Sequence, residues 1–523
     1  MENVFNGSDL NQKTIFNHPS GLFVLFFTEM WERFSYYGMR AILVLFLTSS
    51  ILNEGWGWER KDALELFAWY TSLVYLTPLL GGILADKVLG YRNAVVLGAL
   101  IMALGHGSLA LEGIEQNFFY LGLGLLIIGN GLFKPNISSI VGQLYKPNDD
   151  RKDGAYTIFY MGINAGAFLG ILLCGYLGEK VGWHYGFGLA GIFMFFGMLQ
   201  FYFAQNIFGK IGLSPSEPLD LTKNDEDQKI DNESLEVLTK KIVRDRLIVI
   251  SVFSFFVIFF WWAFEQAGGS MTIFAADYTD RLLVGGDALT FKILNTLLTV
   301  IPMLILTWVL LMLFKQTFSK FASSNIFLGS SFVIIWIVVI WMLGRELRSE
   351  STEVPASWFG ILNSFFIITF APFISKIWQS KFNPTGPIKF AIALILMGLG
   401  FAILSYGSMS IPLGAKTAKV SMIFLILAYL FHTLGELCIS PVGLSYVSKL
   451  APFKLVGLMF GIWFVANFIA NYLAGITGSY IDPIVEEYGM TTFFMIFTII
   501  PVVAGVIMWM LNNTLLKMMH GVR

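Results

Sequence analysis

The chain has 523 residues, of which 56% are hydrophobic, 16% aromatic and only 13% charged, with a net charge of −1. Soluble globular chains carry about 25% charged residues, so an ordinary soluble domain is excluded, and the near-zero charge offers no footprint for nucleic acid. The apolar residues fall in runs of about 20, the length that crosses a hydrocarbon core as a helix. The chain therefore reads as an all-α polytopic membrane protein.

Residues 1–20 lack a basic stretch followed by a short apolar core, so no cleavable leader is expected and the first span should direct insertion. Apolar runs follow near 21–48, 63–85, 93–112, 118–142, 154–178 and 186–207. After a polar stretch they resume near 246–267, 289–314, 323–344, 356–378, 387–407, 418–446, 454–478 and 490–515. Fourteen helices put both termini on one side. Lys87, Arg92, Lys146, Arg151, Lys152, Lys376, Lys381, Lys389, Lys449 and Lys454 fall in loops on that side, which the positive-inside rule makes cytoplasmic. This predicts a cytoplasmic N-terminus (1–20), a six-helix bundle (21–207), a cytoplasmic linker (208–245), a second six-helix bundle with an inserted pair (246–515, pair 289–344) and a cytoplasmic C-terminus (516–523). The linker's Asp, Glu, Lys and Ser cannot build a core, though 233–246 has an amphipathic pattern.

The first span holds "TEMWERFSYYGMR", with Glu29, Glu32, Arg33 and Arg40 inside a membrane segment. A charge at the centre of a membrane helix costs about 2.5–3.5 kcal/mol on insertion scales. At helical spacing these four residues, with Tyr36 and Tyr37, share one face about 140° wide. Such a face cannot meet lipid; it should line a cavity where the charges pair.

Further along the chain, "LLGGILADKVLGYRNAV" (79–95) follows the second span and places Asp86 between glycines. The fourth span carries one charge, Lys134, the seventh one acid, Glu265, and the span at 418–446 one acid, Glu436. Each lone intramembrane ion is a functional candidate whose partner should lie on another helix. Static ion pairs are the plainer account, but buried pairs stabilise poorly because desolvation offsets their attraction, which favours a switching role. Cys174 and Cys438 lie in apolar helices with no disulfide or metal spacing, and the five histidines form no metal motif. His432, one turn before Glu436, is expected to pack rather than to carry a proton.

These motifs carry a family resemblance. The 79–95 segment matches the loop between the second and third spans of the major facilitator superfamily, with Tyr91 where a second basic residue often stands. "EMWERFSYYG" (29–38) resembles the first-span signature of the proton-dependent oligopeptide transporters. "GNGLFKPN" (129–136), "FYMGINAGAFLG" (159–170), "FWWAFEQ" (260–266), "SWFGILNSFFIITFAP" (357–372), "GELCISPVGLSYVSKLAP" (435–452) and "MFGIWF" (459–464) resemble its later signatures in family order. The apolar pair at 289–344 departs from the bacterial pattern, in which an extra pair sits between the bundles.

The resemblance implies a major facilitator fold and proton-coupled import of di- and tripeptides across the plasma membrane. It implies no cofactor beyond the proton gradient, and no obligate protein partner is evident. Glu29, Glu32, Arg33 and Lys134 would couple the proton. Arg33 and Lys134 would receive the peptide carboxylate and Glu436 its ammonium. Tyr37, Tyr75, Tyr160, Asn164, Asn363 and Ser440 would offer polar contacts, and Trp261, Trp463 and Phe464 side-chain pockets. Arg40 with Glu265, and Asp86, would serve gates. A symporter of another small anion, or a substrate sensor, are the competing readings. No Gly-x-Ser-x-Gly or His-Glu-x-x-His motif supports an enzyme.

Overall fold

The computed structural model describes residues 14–146, 149–213, 233–452 and 455–522. Thirteen of its helical segments are long and apolar enough to cross a membrane. α1 (Ser20–Thr48) is a fourteenth by length, about 43 Å at 1.5 Å per residue. Its four charges, Glu29, Glu32, Arg33 and Arg40, set it apart from those thirteen. Protein takes the place of lipid around it: from Ser20 to Tyr36 every residue is buried.

The remaining helices are α2 (Arg60–Leu84), α3 (Tyr91–Leu109), α4 (Gln116–Gln143), α5 (Arg151–Lys180) and α6 (Trp183–Ala204), then α7 (Glu233–Phe264) and the short α8 (Ser270–Ile273). They continue through α9 (Gly285–Thr317), α10 (Ala322–Arg348), α11 (Ile361–Gln379), α12 (Gly386–Gly407), α13 (Ile423–Leu450), α14 (Val456–Ser479) and α15 (Ile481–Met518). The amphipathic pattern at 233–246 is helical and runs unbroken into the seventh span. The rest of the polar stretch, 214–232, lies outside the described residues. The last span was expected from residue 490; α15 begins at Ile481 and turns at Gly489, whose φ of 85° a side chain would resist.

The described residues fall into two compact units, one drawn from 1–58, 77–215 and 280–364, the other from 59–76, 216–279 and 365–523. In the first, α1 lies against α5 and α6. Gly162, Gly166 and Gly170 make this approach possible. A Cβ at Gly166 would collide with the Met30 carbonyl, and one at Gly170 with that of Phe34. Small residues four apart are how membrane helices bring backbones close. Trp31 stacks on Phe193 at 4.6 Å and meets Phe332 edge-on at 5.7 Å, which draws α6 and α10 onto α1. The helix pair α9–α10 follows α7 in sequence and packs with the N-terminal helices in space.

In the second unit α12 packs on α13 and α15, and α7 on α14. Phe253 stacks on Phe390 at 4.6 Å, and Phe401 sits 4.5 Å from His432 and 5.2 Å from Phe497. His432 packs as expected. Its ring lies where a side chain at Gly400 would stand and bonds the Met397 backbone. Cys174 and Cys438 are free and buried.

Candidate functional site

The charged face of α1 closes on itself. Arg33 Nε donates to Glu29 Oε1 at 2.8 Å, one helical turn back, and lies 2.6 Å from Glu32 Oε2. The guanidinium also sits over the Tyr36 ring at 5.8 Å from its centroid. Glu32 is fully enclosed, and Glu29 and Arg33 are exposed by only 2% and 4%. These are charges removed from lipid and water alike, and such groups persist only where partners are fixed around them.

Asn130 supplies one such partner from α4. Its Nδ2 donates to Glu32 Oε1 at 3.0 Å, so one oxygen of Glu32 has a donor and the other is in ion-pair contact with Arg33. Lys134, one turn after Asn130, is half-buried and interacts electrostatically with Glu32, Glu29, Arg33 and Arg40. Pro135 follows it and cannot donate to the Gly131 carbonyl, so the α4 ladder is interrupted next to the lysine.

The other predicted residues of this unit lie on the same helices or beside them. Tyr37 and Arg40 are half-buried on α1, and Tyr37 interacts with Arg33. Asn164 donates to the Tyr160 carbonyl at 3.0 Å, one turn earlier on α5, while the Tyr160 side chain is exposed. Asn363 is half-buried in the first turn of α11. Asp86 is exposed in the π-helical turn after α2 and takes a hydrogen bond from Tyr91. A tyrosine in place of a second basic residue thus still gives that carboxylate a donor.

Tyr75, Trp261, Glu265, Glu436, Ser440, Trp463 and Phe464 belong to the second unit. Glu265 is buried where α7 breaks into a 3-10 turn (Glu265–Gly268). Gln266 braces that break: its Nε2 donates to the Ala474 carbonyl at 2.8 Å, and Ser270 Oγ donates to its Oε1 at 2.5 Å. Helices interrupted at an ionisable residue are the usual build of transporter sites. Trp463 is buried with its ring against Gly443, where any side chain would displace it. Trp261, Glu436, Ser440 and Phe464 are half-buried. Arg40 and Lys134 lie in one unit, and Glu265 and Glu436 in the other.

Sequence reasoning missed Asn130, Gln266 and the glycine stripe of α5. The signal for Asn130 was present: it stands four residues before Lys134 in "GNGLFKPN", on the same helical face.

Comparison with known proteins bears on the fold and the family. The family model described as PTR2, POT family, matches residues 92–224 and 329–493, more than half of the chain. The chain belongs to the POT family. It is 34% identical to the uncharacterized transporter YclF of Bacillus subtilis (strain 168), covering 98% of this chain and 97% of that one. It is 31% identical to a di-/tripeptide transporter of Lactococcus lactis subsp. cremoris, covering 98% and 99%. A crystal structure of a mutant of peptide transporter POT in complex with alafosfalin superposes with a TM-score of 0.75 at 29% identity, covering 98% of each chain.

Proposed function

We propose that this POT-family chain is a proton-coupled symporter that imports di- and tripeptides by alternating access. In this reading it sits in the plasma membrane with both termini cytoplasmic. The observation that carries the proposal is the enclosed Glu29–Arg33–Glu32 group with its Asn130 donor. A short peptide is a zwitterion, so its site needs a cation for one end and an acid for the other. Arg33 offers a planar fork for a carboxylate, and Lys134 a point charge. In this structure both of Arg33's acidic neighbours compete for its guanidinium.

Protonation of Glu32 would remove one competitor and leave Arg33 free to turn to the peptide carboxylate. Release of the peptide would restore the pairing and expel the proton. Glu29 shares this cycle as the i−4 partner of Arg33. Glu436 would hold the peptide ammonium, and Tyr37, Tyr75, Tyr160, Asn164, Asn363 and Ser440 would bond the backbone. Trp261, Trp463 and Phe464 would line tolerant side-chain pockets. Arg40 with Glu265, and Asp86, would act at gates. The proton gradient supplies the energy and no cofactor is invoked.

The test is uptake of labelled dialanine by the purified protein in liposomes under an imposed inward proton gradient. Wild type should accumulate dialanine only with the gradient, and Glu32→Gln should lose accumulation while still binding peptide. Uptake indifferent to the gradient, or intact in Glu32→Gln, overturns the coupling role. Competition by nitrate or free amino acids but not by peptides overturns the substrate class.

A further inference from the structure

Helix α7 enters the membrane behind a cationic turn. Lys240, Lys241, Arg244 and Arg246 stand just before the run 247–264, which holds no charged residue. At 1.5 Å per residue that run is about 27 Å long, close to the roughly 30 Å of a hydrocarbon core. The cations therefore fall in the headgroup layer of the leaflet that α7 enters.

Packing sorts these charges by side. The inward face of α7 carries Val249, Ile250, Phe253 and Val257, each exposed by no more than 1%. Asp245, one turn before Val249, lies on that side, with its Oδ2 2.9 Å from His520 Nε2. Arg246 Nε donates to the Met519 carbonyl at 3.4 Å, so the residues after α15 cover this flank. The remaining cations face out. Lys240 and Lys241 are exposed, and the Arg244 side chain is 69% exposed while that of Asp245, 3.4 Å from its Nη2, is 11% exposed. The carboxylate is thus withdrawn and the positive charge presented.

The outward face changes character along its length. Lys240, Arg244, Leu247, Ser251 and Phe255 recur at helical spacing. An open groove of about 390 Å³ follows them, lined by Lys240, Val243, Arg244, Leu247, Ile248 and Ser251. Ser251 turns its hydroxyl onto the Leu247 carbonyl at 3.0 Å, which leaves the lower groove apolar. Lys240 and Arg244 are one turn apart, about 5–6 Å between Cβ atoms, so both reach a single phosphate. The lysine meets it as a point charge and the arginine as a planar fork. A free phosphate has no use for the apolar floor, and an acidic protein segment would need polar partners beyond Arg244. A headgroup phosphate with an acyl chain below it matches both ends.

We propose that this face of α7 binds one anionic phospholipid. Its phosphate rests on Lys240 and Arg244 with Lys241 beside them, and one acyl chain lies along Leu247, Ile248 and Ser251. The site is independent of what the transporter carries.

Native mass spectrometry of the full chain in detergent tests it, with phosphatidylglycerol and phosphatidylcholine of equal chain length as the two probes. Each Lys or Arg at an anionic surface strengthens binding about fivefold, so wild type should hold its first phosphatidylglycerol about 25-fold more tightly than phosphatidylcholine. Lys240→Gln with Arg244→Gln should bring the two lipids to within a few-fold, and Lys240→Arg with Arg244→Lys should keep the preference. Leu247→Glu should weaken phosphatidylglycerol with both cations in place. Lys376→Gln with Lys381→Gln removes as many charges near the end of α11 and should change nothing. If the double variant at 240 and 244 does not fold, each single substitution carries the test, lowering the preference about fivefold. Equal binding of the two lipids by wild type, or an unchanged preference in the folded variants, overturns the site. An equal loss in the α11 pair reduces it to general surface charge and overturns it too. Displacement of the lipid by inorganic phosphate at tenfold excess would leave only an anion site and remove the lipid.

Discussion

Asn130 shows how a neutral residue can govern a charged site. Its amide fixes one oxygen of Glu32 while Arg33 lies against the other. A hydrogen bond to a charged group contributes about 1.5–3 kcal/mol. Asn130→Ala should therefore slow proton-driven dialanine uptake by roughly tenfold or more. Peptide exchange between the two faces without a gradient should be largely kept, because Asn130 orients the carboxylate rather than the peptide. Equal loss in both assays would make Asn130 a fold residue instead. The acids and Arg33 were legible in the sequence because charges at helical spacing inside an apolar run have no innocent explanation. Asn130 left only its spacing from Lys134 as a trace, since an uncharged side chain in a span breaks no rule.

Short elements can matter as much as the spans. Strands β1 (Thr14–Ile15) and β2 (His18–Pro19) form a hairpin ahead of α1, with Phe16 and Asn17 at φ of 49° and 65° in its two-residue turn. A phenylalanine resists that conformation. It is held by packing on Trp308 of α9 at 5.5 Å and on Phe23 at 6.2 Å. His18 Nδ1 bonds the Tyr145 hydroxyl at 2.8 Å, and Arg151 donates to the Asn17 carbonyl at 3.1 Å. Burial, with the Arg151 charge beside it, holds the His18 imidazole below its usual range, and Asp149 only partly opposes them. The folded hairpin thus prefers the neutral ring. Its docking should be complete above about pH 6.5, the ordinary imidazole value, and weaken as the pH falls through the lowered one. Hydrogen exchange at the amides of 14–18 should quicken below pH 6 relative to His18→Gln, in which the pH dependence should flatten. Parallel profiles would remove His18 from the account. Nothing in the sequence pointed here, because a two-residue strand has no periodicity to read.

At the scale of the whole molecule, hydropathy shows where helices cross the membrane but not which helices they meet. In lipid, association follows packing and polar contacts rather than apolar burial, so a helix apolar on all sides carries little record of its neighbours. The pair α9–α10 is such a case. By sequence it lies between α7 and α11; in space Phe332 of α10 reaches Trp31 and Phe27 of α1, and Ser324 Oγ donates to the Gln200 carbonyl of α6 at 2.7 Å. Beyond the pair, Glu179 at the end of α5 accepts from the backbone N–H groups of Ala356 and Ser357 at 2.7 and 2.9 Å, and Lys180 pairs with Glu353 at 2.8 Å. The pair is therefore built into the unit that holds Glu32 rather than hung upon it. Phe332→Ala should open a cavity under Trp31 and cost about 3–5 kcal/mol, read as a drop of several degrees in the melting midpoint of the purified protein. Because Trp31 precedes Glu32, dialanine uptake should fall too. Ile337, on the same helix and 61% exposed, is the control, and Ile337→Ala should change stability by no more than about 0.5 kcal/mol. Equal, small effects of the two substitutions would mean that α10 decorates the N-terminal helices and does not support them.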